Sequence, residues 1–126
     1  MRYQIETLIL LSENDNGATY TVDERPTTSF LFVKRNQGAL FGNHWHKGGS
    51  SAKNPEVLLF ISGHMTMWVS DVDGGQKEEV DLHAPLKLKI YPNVLHSFRA
   101  ETECVFLEFN SLDEHVADTY YPTQEG

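Results

Sequence analysis

Residues 38–63 read GALFGNHWHKGGSSAKNPEVLLFISG, a stretch that combines two histidines, one acid and several glycines before it turns strongly apolar. Successive side chains of an extended strand point to opposite faces, so His44 and His46 share one face. Imidazole is the commonest protein ligand for transition metals, and two adjacent imidazoles form half of a mononuclear site. The candidates for the remaining ligands are Glu56 and His96.

The rest of the chain reads as short β-strands separated by turns. Runs rich in β-branched and aromatic residues predict strands, while the polar runs at 12–17 and 73–75 predict tight turns. No apolar pattern of three helical turns occurs, and the tail after residue 112 has room for one helical turn. The sequence therefore predicts an all-β protein. Its predicted strands include 3–11, 20–22, 29–33, 56–62, 64–71, 86–90 and 104–109.

Length, charge and cysteine content limit the number of domains, the possible partners and the expected cellular location. Its 126 residues fit a single domain over 1–126. The formal net charge of −8, with no basic cluster larger than Lys34-Arg35, argues against nucleic-acid binding. The lone Cys104 excludes an internal disulfide, and no segment approaches the ~20 apolar residues that span a bilayer. We expect a cytoplasmic protein that binds neither nucleic acid nor membrane.

The segment 56–61 is apolar on both of its faces. Such a strand must be covered on both sides, either inside a double-sheet sandwich or at a subunit interface. A small β-protein must also protect its exposed sheet edges. These features predict a homodimer.

The residues quoted above resemble the cupin superfamily, whose first motif is G-x5-H-x-H-x3,4-E-x6-G. Gly38, His44, His46, Glu56 and Gly63 reproduce that frame, except that nine residues separate the second histidine from the acid. The second motif, G-x5-P-x-G-x2-H-x3-N, is matched more loosely. The proline of Pro92-Asn-Val-Leu-His96 lies one residue too close to the histidine, the inner glycine is absent, and Ala100 replaces the asparagine. The resemblance covers about residues 28–110.

The resemblance implies a double-stranded β-helix, or jelly roll, with His44, His46, Glu56 and His96 converging on one metal inside the barrel. The ligand set suits a divalent transition metal such as Fe, Mn, Ni or Zn without choosing among them. The insertion makes Glu56 depend on strand register, because a slip of one residue turns its side chain to the other face. The intact spacing from Glu56 to Gly63 predicts the correct register.

A second resemblance points to small cupins that act on nucleotide-linked sugars in deoxysugar and capsule synthesis. The segments Gly42-Asn-His-Trp-His-Lys47 and Asp118-Thr-Tyr-Tyr-Pro122 are similar to that group, although Phe41 stands where an arginine is expected. This resemblance implies a sugar or sugar nucleotide as the small-molecule substrate, and carbohydrate metabolism as the setting.

Catalysis requires an acid or base that is not itself a ligand. Glu108 and Tyr91 are the catalytic candidates, with His64 as a third. His64, His83 and His115 fit no motif position and are expected at the surface or rim. The polar segment 47–55 predicts a flexible loop beside the site, serving either as a lid hinged at its two glycines or as an inert insertion.

Several functions remain open at this stage. The first hypothesis is a metal-dependent enzyme of the isomerase or epimerase type, and a close variant uses the paired histidines as acid and base without a metal. A non-catalytic ligand-binding or sensor module is the second. A metal-dependent dioxygenase is the third, and nothing in the sequence selects it.

Overall fold

A computed structural model describes residues 1–27 and 29–122; Thr28 and residues 123–126, which the sequence analysis counts within the domain, lie outside the described residues. The strands in this part of the chain are β1 (Tyr3–Glu6), β2 (Ile9–Asn14), β3 (Gly17–Thr21), β4 (Leu31–Arg35), β5 (Leu40–His44), β6 (Glu56–Ser62), β7 (His64–Asp71), β8 (Glu78–His83), β9 (Leu86–Ile90), β10 (Val94–Ala100) and β11 (Cys104–Glu108). One short helix, α1 (Leu112–Ala117), follows them.

Two antiparallel sheets pack face to face. One has the order β1-β9-β6-β11-β4 and the other the order β5-β10-β7-β8. Alternating apolar side chains of both sheets point inward and form a single core, because burying one face of each sheet is what stabilises such a sandwich. The predicted all-β jelly roll is confirmed. Core residues that are at most 2% exposed include Leu58, Phe60, Met65, Met67, Leu88 and Phe106.

Strand β6 is central rather than exposed. It pairs with β9 on one side and β11 on the other, and Val57 is fully buried on the face away from the main core. Ile61 on the same outer face is 43% exposed, so the protein covers the inner face of this strand and only part of the outer one. The sandwich alternative of the sequence argument is confirmed, and a subunit interface on the outer face of this strand stays a prediction.

The N-terminal segment differs from its prediction. The strand expected over 3–11 divides into β1, which joins the large sheet, and β2, which forms a separate two-stranded sheet with β3. The turn between β2 and β3 is restricted to residues 15–16. Every residue of β2 is exposed, which matters for assembly below.

Helix α1 supplies the helical turn that the tail was expected to accommodate. Ser111 caps it by accepting from the Glu114 amide at 3.1 Å, and Glu114 accepts in return from the Ser111 amide. Cys104 is buried and unpaired. Among the described residues, no helix has the length and apolar character needed to cross a bilayer.

Candidate metal centre

Strands β5 and β10 bring the first pair of candidate ligands together. His44 lies directly opposite His96 in the register of the two strands, and their rings meet edge to face at 4.7 Å. The strands approach closely at Gly42, where a Cβ would lie 3.2 Å from the His96 carbonyl oxygen. Gly42 has a φ of 81° and Asn43 a φ of 56°, so the chain bends here and turns His44 toward the barrel interior.

The next histidine lies beyond the end of β5 but on the same face. Trp45 exchanges two backbone hydrogen bonds of 2.9 Å with Tyr120, so the C-terminal tail continues the strand pairing that β5 has lost. The His44 and His46 rings lie 5.1 Å apart. The sequence prediction that these two imidazoles share one face is confirmed.

Glu56, the first residue of β6, points inward. Its Oε2 atom contacts His46 Nε2 and lies 3.9 Å from His96 Nε2, and only 2% of the residue is exposed. The register that the spacing to Gly63 predicted is therefore the register of the fold. The structure thus brings together His44, His46, Glu56 and His96, with one ligand-type atom from each within 4.8 Å of the others.

The buried imidazoles are oriented by backbone carbonyls. His46 Nδ1 lies 2.7 Å from the Asp118 carbonyl oxygen, and His96 Nδ1 lies 3.0 Å from that of Val94. A carbonyl can only accept, so each Nδ1 carries the proton and each Nε2 carries a lone pair. Neither Nε2 has a hydrogen-bond partner among the described residues, although both are buried.

The electrostatics keep His44 and His96 neutral and the Glu56 carboxylate charged. Burial lowers the pKa of His96 to about 4, and burial together with His96 lowers that of His44 to about 2. Burial alone would raise the pKa of Glu56, but Lys53 and His46 outweigh it and hold that pKa well below its usual value.

This donor set fits a divalent transition metal. Neutral imidazole nitrogens and one ionised carboxylate are the forms that coordinate such ions. Two buried lone pairs without hydrogen-bond partners, both near one carboxylate oxygen, are costly unless a cation or proton lies between them. The residues that would hold the metal are the two histidines after Gly42, the first residue of β6 and the histidine of β10.

Sequence reasoning missed a buried cation beside this cluster. Lys53 is fully buried, and its ammonium lies 3.3 Å from Glu56 Oε2, 3.0 Å from Asn110 Oδ1 and 3.0 Å from His115 Nδ1. It comes from the segment 47–55, where its polar neighbours gave no signal of burial. The one available signal was its position three residues before the acid, across a proline.

The segment 47–55 is fastened rather than free. The Asp118 carboxylate accepts hydrogen bonds of 2.9–3.1 Å from three amides near the start of the segment, and Arg25 donates to the carbonyls of Ala52 and Pro55 at 2.6 and 2.8 Å. Gly48 packs so tightly on Pro92 that a Cβ would approach it to 2.8 Å. These bonds tie the segment to the barrel, and its opening as a lid stays a prediction.

A cavity of about 180 Å³ opens beside the ligand cluster. Glu108 on β11 lines it, with a buried Oε2 that has no hydrogen-bond partner in the described structure. Burial and the charge of Glu56 raise the pKa of Glu108. The cavity is lined by Arg35, Phe41, Gly42, His44, Glu56, Leu58, Phe98, Phe106, Glu108, His115 and Tyr121.

The other predicted site residues are distributed differently from expectation. His115, expected at the surface or rim, lines the cavity, and burial together with Lys53 lowers its pKa to about 4. Tyr91 does not line it, because its hydroxyl donates to Gln4 at 3.0 Å on an exposed surface. His64 and His83 lie together on the outside of the barrel, away from this site.

Comparison with known proteins places the fold. No protein-family model matches the chain, and no curated protein matches it. Solved structures do match. A sugar 3,4-ketoisomerase from Thermoanaerobacterium thermosaccharolyticum, in complex with TDP, aligns with a TM-score of 0.67 and 16% identity over 86% of this chain and 79% of that one.

Two further structures give the same result. A 3,4-ketoisomerase from Helicobacter canadensis aligns with a TM-score of 0.68 and 18% identity over 86% of this chain and 82% of that one. The dTDP-4-dehydrorhamnose 3,5-epimerase from Sulfolobus tokodaii aligns with a TM-score of 0.61 and 15% identity over 86% and 74%. At these identities the likeness shows the fold, which is the cupin-type jelly roll.

The burial of Lys53 predicts a large effect on stability. Lys53→Met keeps the aliphatic stem but removes the charge that faces Glu56, and breaking a buried ion pair in this way costs about 3–5 kcal/mol. Urea unfolding in the presence of a chelator measures the change. Lys77→Met, at an exposed position, is the matched control and should change the free energy of unfolding by less than about 0.5 kcal/mol. Equal stability of the two variants would contradict the assigned role of Lys53.

Proposed function

We propose that this chain is a mononuclear metal-binding cupin that acts on a sugar or sugar nucleotide as an isomerase or epimerase. The observation that carries the metal is the pair of buried Nε2 atoms on His46 and His96, each fixed by a carbonyl behind it and each near the Glu56 carboxylate. Such fixed, unprotonated imidazoles are the usual state of metal-ligating histidines.

The substrate class is supported by the structural neighbours and by the cavity. The neighbours reported above are named as a sugar 3,4-ketoisomerase in complex with TDP, a second 3,4-ketoisomerase and a dTDP-4-dehydrorhamnose 3,5-epimerase. The cavity of about 180 Å³ is smaller than the ~300–1,000 Å³ of ordinary ligand pockets. It therefore suits one small polar unit such as a sugar ring, with any nucleotide lying outside it. Arg35 supplies a cation at the cavity for an anionic group.

The proposed chemistry is proton transfer at a carbon next to a carbonyl. A divalent metal, when bound, supplies polarisation of a substrate oxygen. Glu108 would take and return the proton, because its Oε2 lies in the cavity wall without a hydrogen-bond partner, 3.6 Å from His115 Nδ1 and 4.0 Å from the Lys53 ammonium. Its raised pKa means that it holds a proton more readily than an ordinary glutamate. If the reaction proceeds without a metal, His44, which also lines the cavity, would act as acid or base.

Metal content tests the first part of this proposal. Protein purified without added metal should carry about one equivalent of a divalent transition metal more than the His96→Gln variant, because that change removes one ligand. Elemental analysis measures the difference, with circular dichroism as the check of folding. His115→Gln is the control, since His115 lies beside the ligands but outside their group, and it should retain the metal. Equal metal content in wild type and His96→Gln, before and after reconstitution, would reject the metal.

Isotope exchange tests the chemistry. TDP-4-keto-6-deoxyglucose, the ligand in another complex of the Thermoanaerobacterium ketoisomerase, is incubated with the protein in D₂O and followed by NMR. Hydrogen next to the carbonyl should exchange, and Glu108→Gln should slow this by about 10²–10⁴-fold because the proton acceptor is lost. Glu103→Gln, an exposed acid, should have no effect.

The outcomes separate enzyme from binding module. Equal exchange rates in the two glutamate variants would remove Glu108 from the proposal. If the wild type catalyses no exchange but its melting temperature rises with the sugar nucleotide, the non-catalytic alternative replaces the enzyme. Neither exchange nor a melting shift would reject this substrate class.

The exposed β2–β3 hairpin supports a homodimer. A two-stranded hairpin is marginal by itself in water, yet Ile9, Leu10 and Leu11 are 50–63% exposed. A second copy of the chain would cover them. Light scattering should therefore give twice the mass of one chain, and Leu11→Lys should shift the protein toward the monomer. Leu40→Lys adds the same charge at an exposed position on the four-stranded sheet and should leave the dimer unchanged. A monomeric wild type at micromolar concentration would reject the dimer.

A further inference from the structure

We propose that His64, Asp81 and His83 form a second site for a divalent late transition metal, on the outer face of the four-stranded sheet. Side chains alternate along β7 and β8, so Met65 and Leu82 are buried in the core while the three candidate ligands point outward. The group is separate from the central cluster, whose His96 points inward from the neighbouring strand β10.

The strand register places the three side chains side by side. His64 is paired directly with His83 across β7 and β8, and Asp81 lies two residues before His83 on the same face. One ligand-type atom from each lies within 4.8 Å of the other two. Both imidazoles present Nε2 to one carboxylate: His64 contacts Oδ1, and His83 Nε2 lies 3.0 Å from Oδ2.

The backbone of this group is fixed before any ion binds. The His64 amide donates to Thr102 Oγ1 at 3.0 Å, and its carbonyl accepts from the Glu101 amide at 2.9 Å. Strands β7 and β8, which carry all three residues, are held together by the ladder of the sheet. Because the ligands are held in place in advance, binding an ion costs less conformational entropy.

The donor chemistry selects the class of ion. Two imidazoles and one carboxylate suit Zn²⁺ and its neighbours in the first transition row rather than Mg²⁺ or Ca²⁺. The two rings are stacked with centroids 4.0 Å apart, and coordination requires them to tilt about a torsion that is soft in histidine. His83 and Asp81 are exposed over nearly two thirds of their side chains, so the ion reaches them directly from solvent. A fourth position is left for water.

Zinc binding tests the site. Titration of metal-free protein with Zn²⁺ against a chromophoric chelator should give about one equivalent fewer for His83→Gln than for the wild type. Asp81→Asn should lose the same equivalent, whereas Asp73→Asn, which removes an exposed acid from a turn, should lose none. Because each comparison is a difference from the wild type, the result does not depend on whether the central cluster is loaded.

A thermal measurement provides the second readout. Zn²⁺ should raise the melting temperature of the wild type more than that of His83→Gln, because the ion joins β7 to the edge strand β8. His83 is exposed, so its replacement leaves the fold intact. Equal stoichiometry in the wild type and His83→Gln would overturn the proposal. So would binding too weak to compete with the chelator at micromolar zinc.

Discussion

The structure depends on one buried negative charge. Glu56 is 2% exposed in the interior of a sandwich whose other inward side chains are mostly apolar, and an isolated carboxylate there would be expensive to desolvate. The Lys53 ammonium, 3.3 Å from Glu56 Oε2, compensates this charge. The Nε2 atoms of His46 and His96 lie near the same oxygen. The donors, the buried lysine and the cavity therefore form one connected arrangement.

The need to compensate that charge accounts for the contacts of the polar segment 47–55. The segment 47–55 lies against the barrel with the Lys53 ammonium beside Glu56. Asp118 and Arg25 pin it through hydrogen bonds to its backbone amides and carbonyls. Asp118 also offers its carbonyl to His46 Nδ1, so one tail residue orients a candidate ligand and fastens the loop that carries the lysine. The insertion that departs from the cupin motif is thus part of the site.

Local patterns predicted the site where local geometry determines it. His44 and His46 share a face because a strand has a period of two, and the spacing from Glu56 to Gly63 fixed the register of β6. Lys53 and His115 were missed because their burial depends on how a loop and a short helix close over the barrel, and no periodicity records that. Tyr91 was misplaced because strand alternation beside a proline turn did not reveal which side its hydroxyl takes.

The cavity wall combines members of the four-residue cluster with a second group of residues from other elements. The four clustered ligand-type residues come from the segments that resemble the two cupin motifs, the first more closely than the second. The second group comprises Arg35 of β4, Glu108 of β11 and His115 of α1. The aromatic residues beside them are Phe41, Phe98, Phe106 and Tyr121. Phe41 stacks on Phe98 with ring centroids 5.1 Å apart. The Arg35 guanidinium lies over the Phe41 ring, 5.2 Å from its centroid, and this contact holds the cation at the cavity. A barrel with the same four clustered residues but a different β4 and tail would therefore have a different cavity.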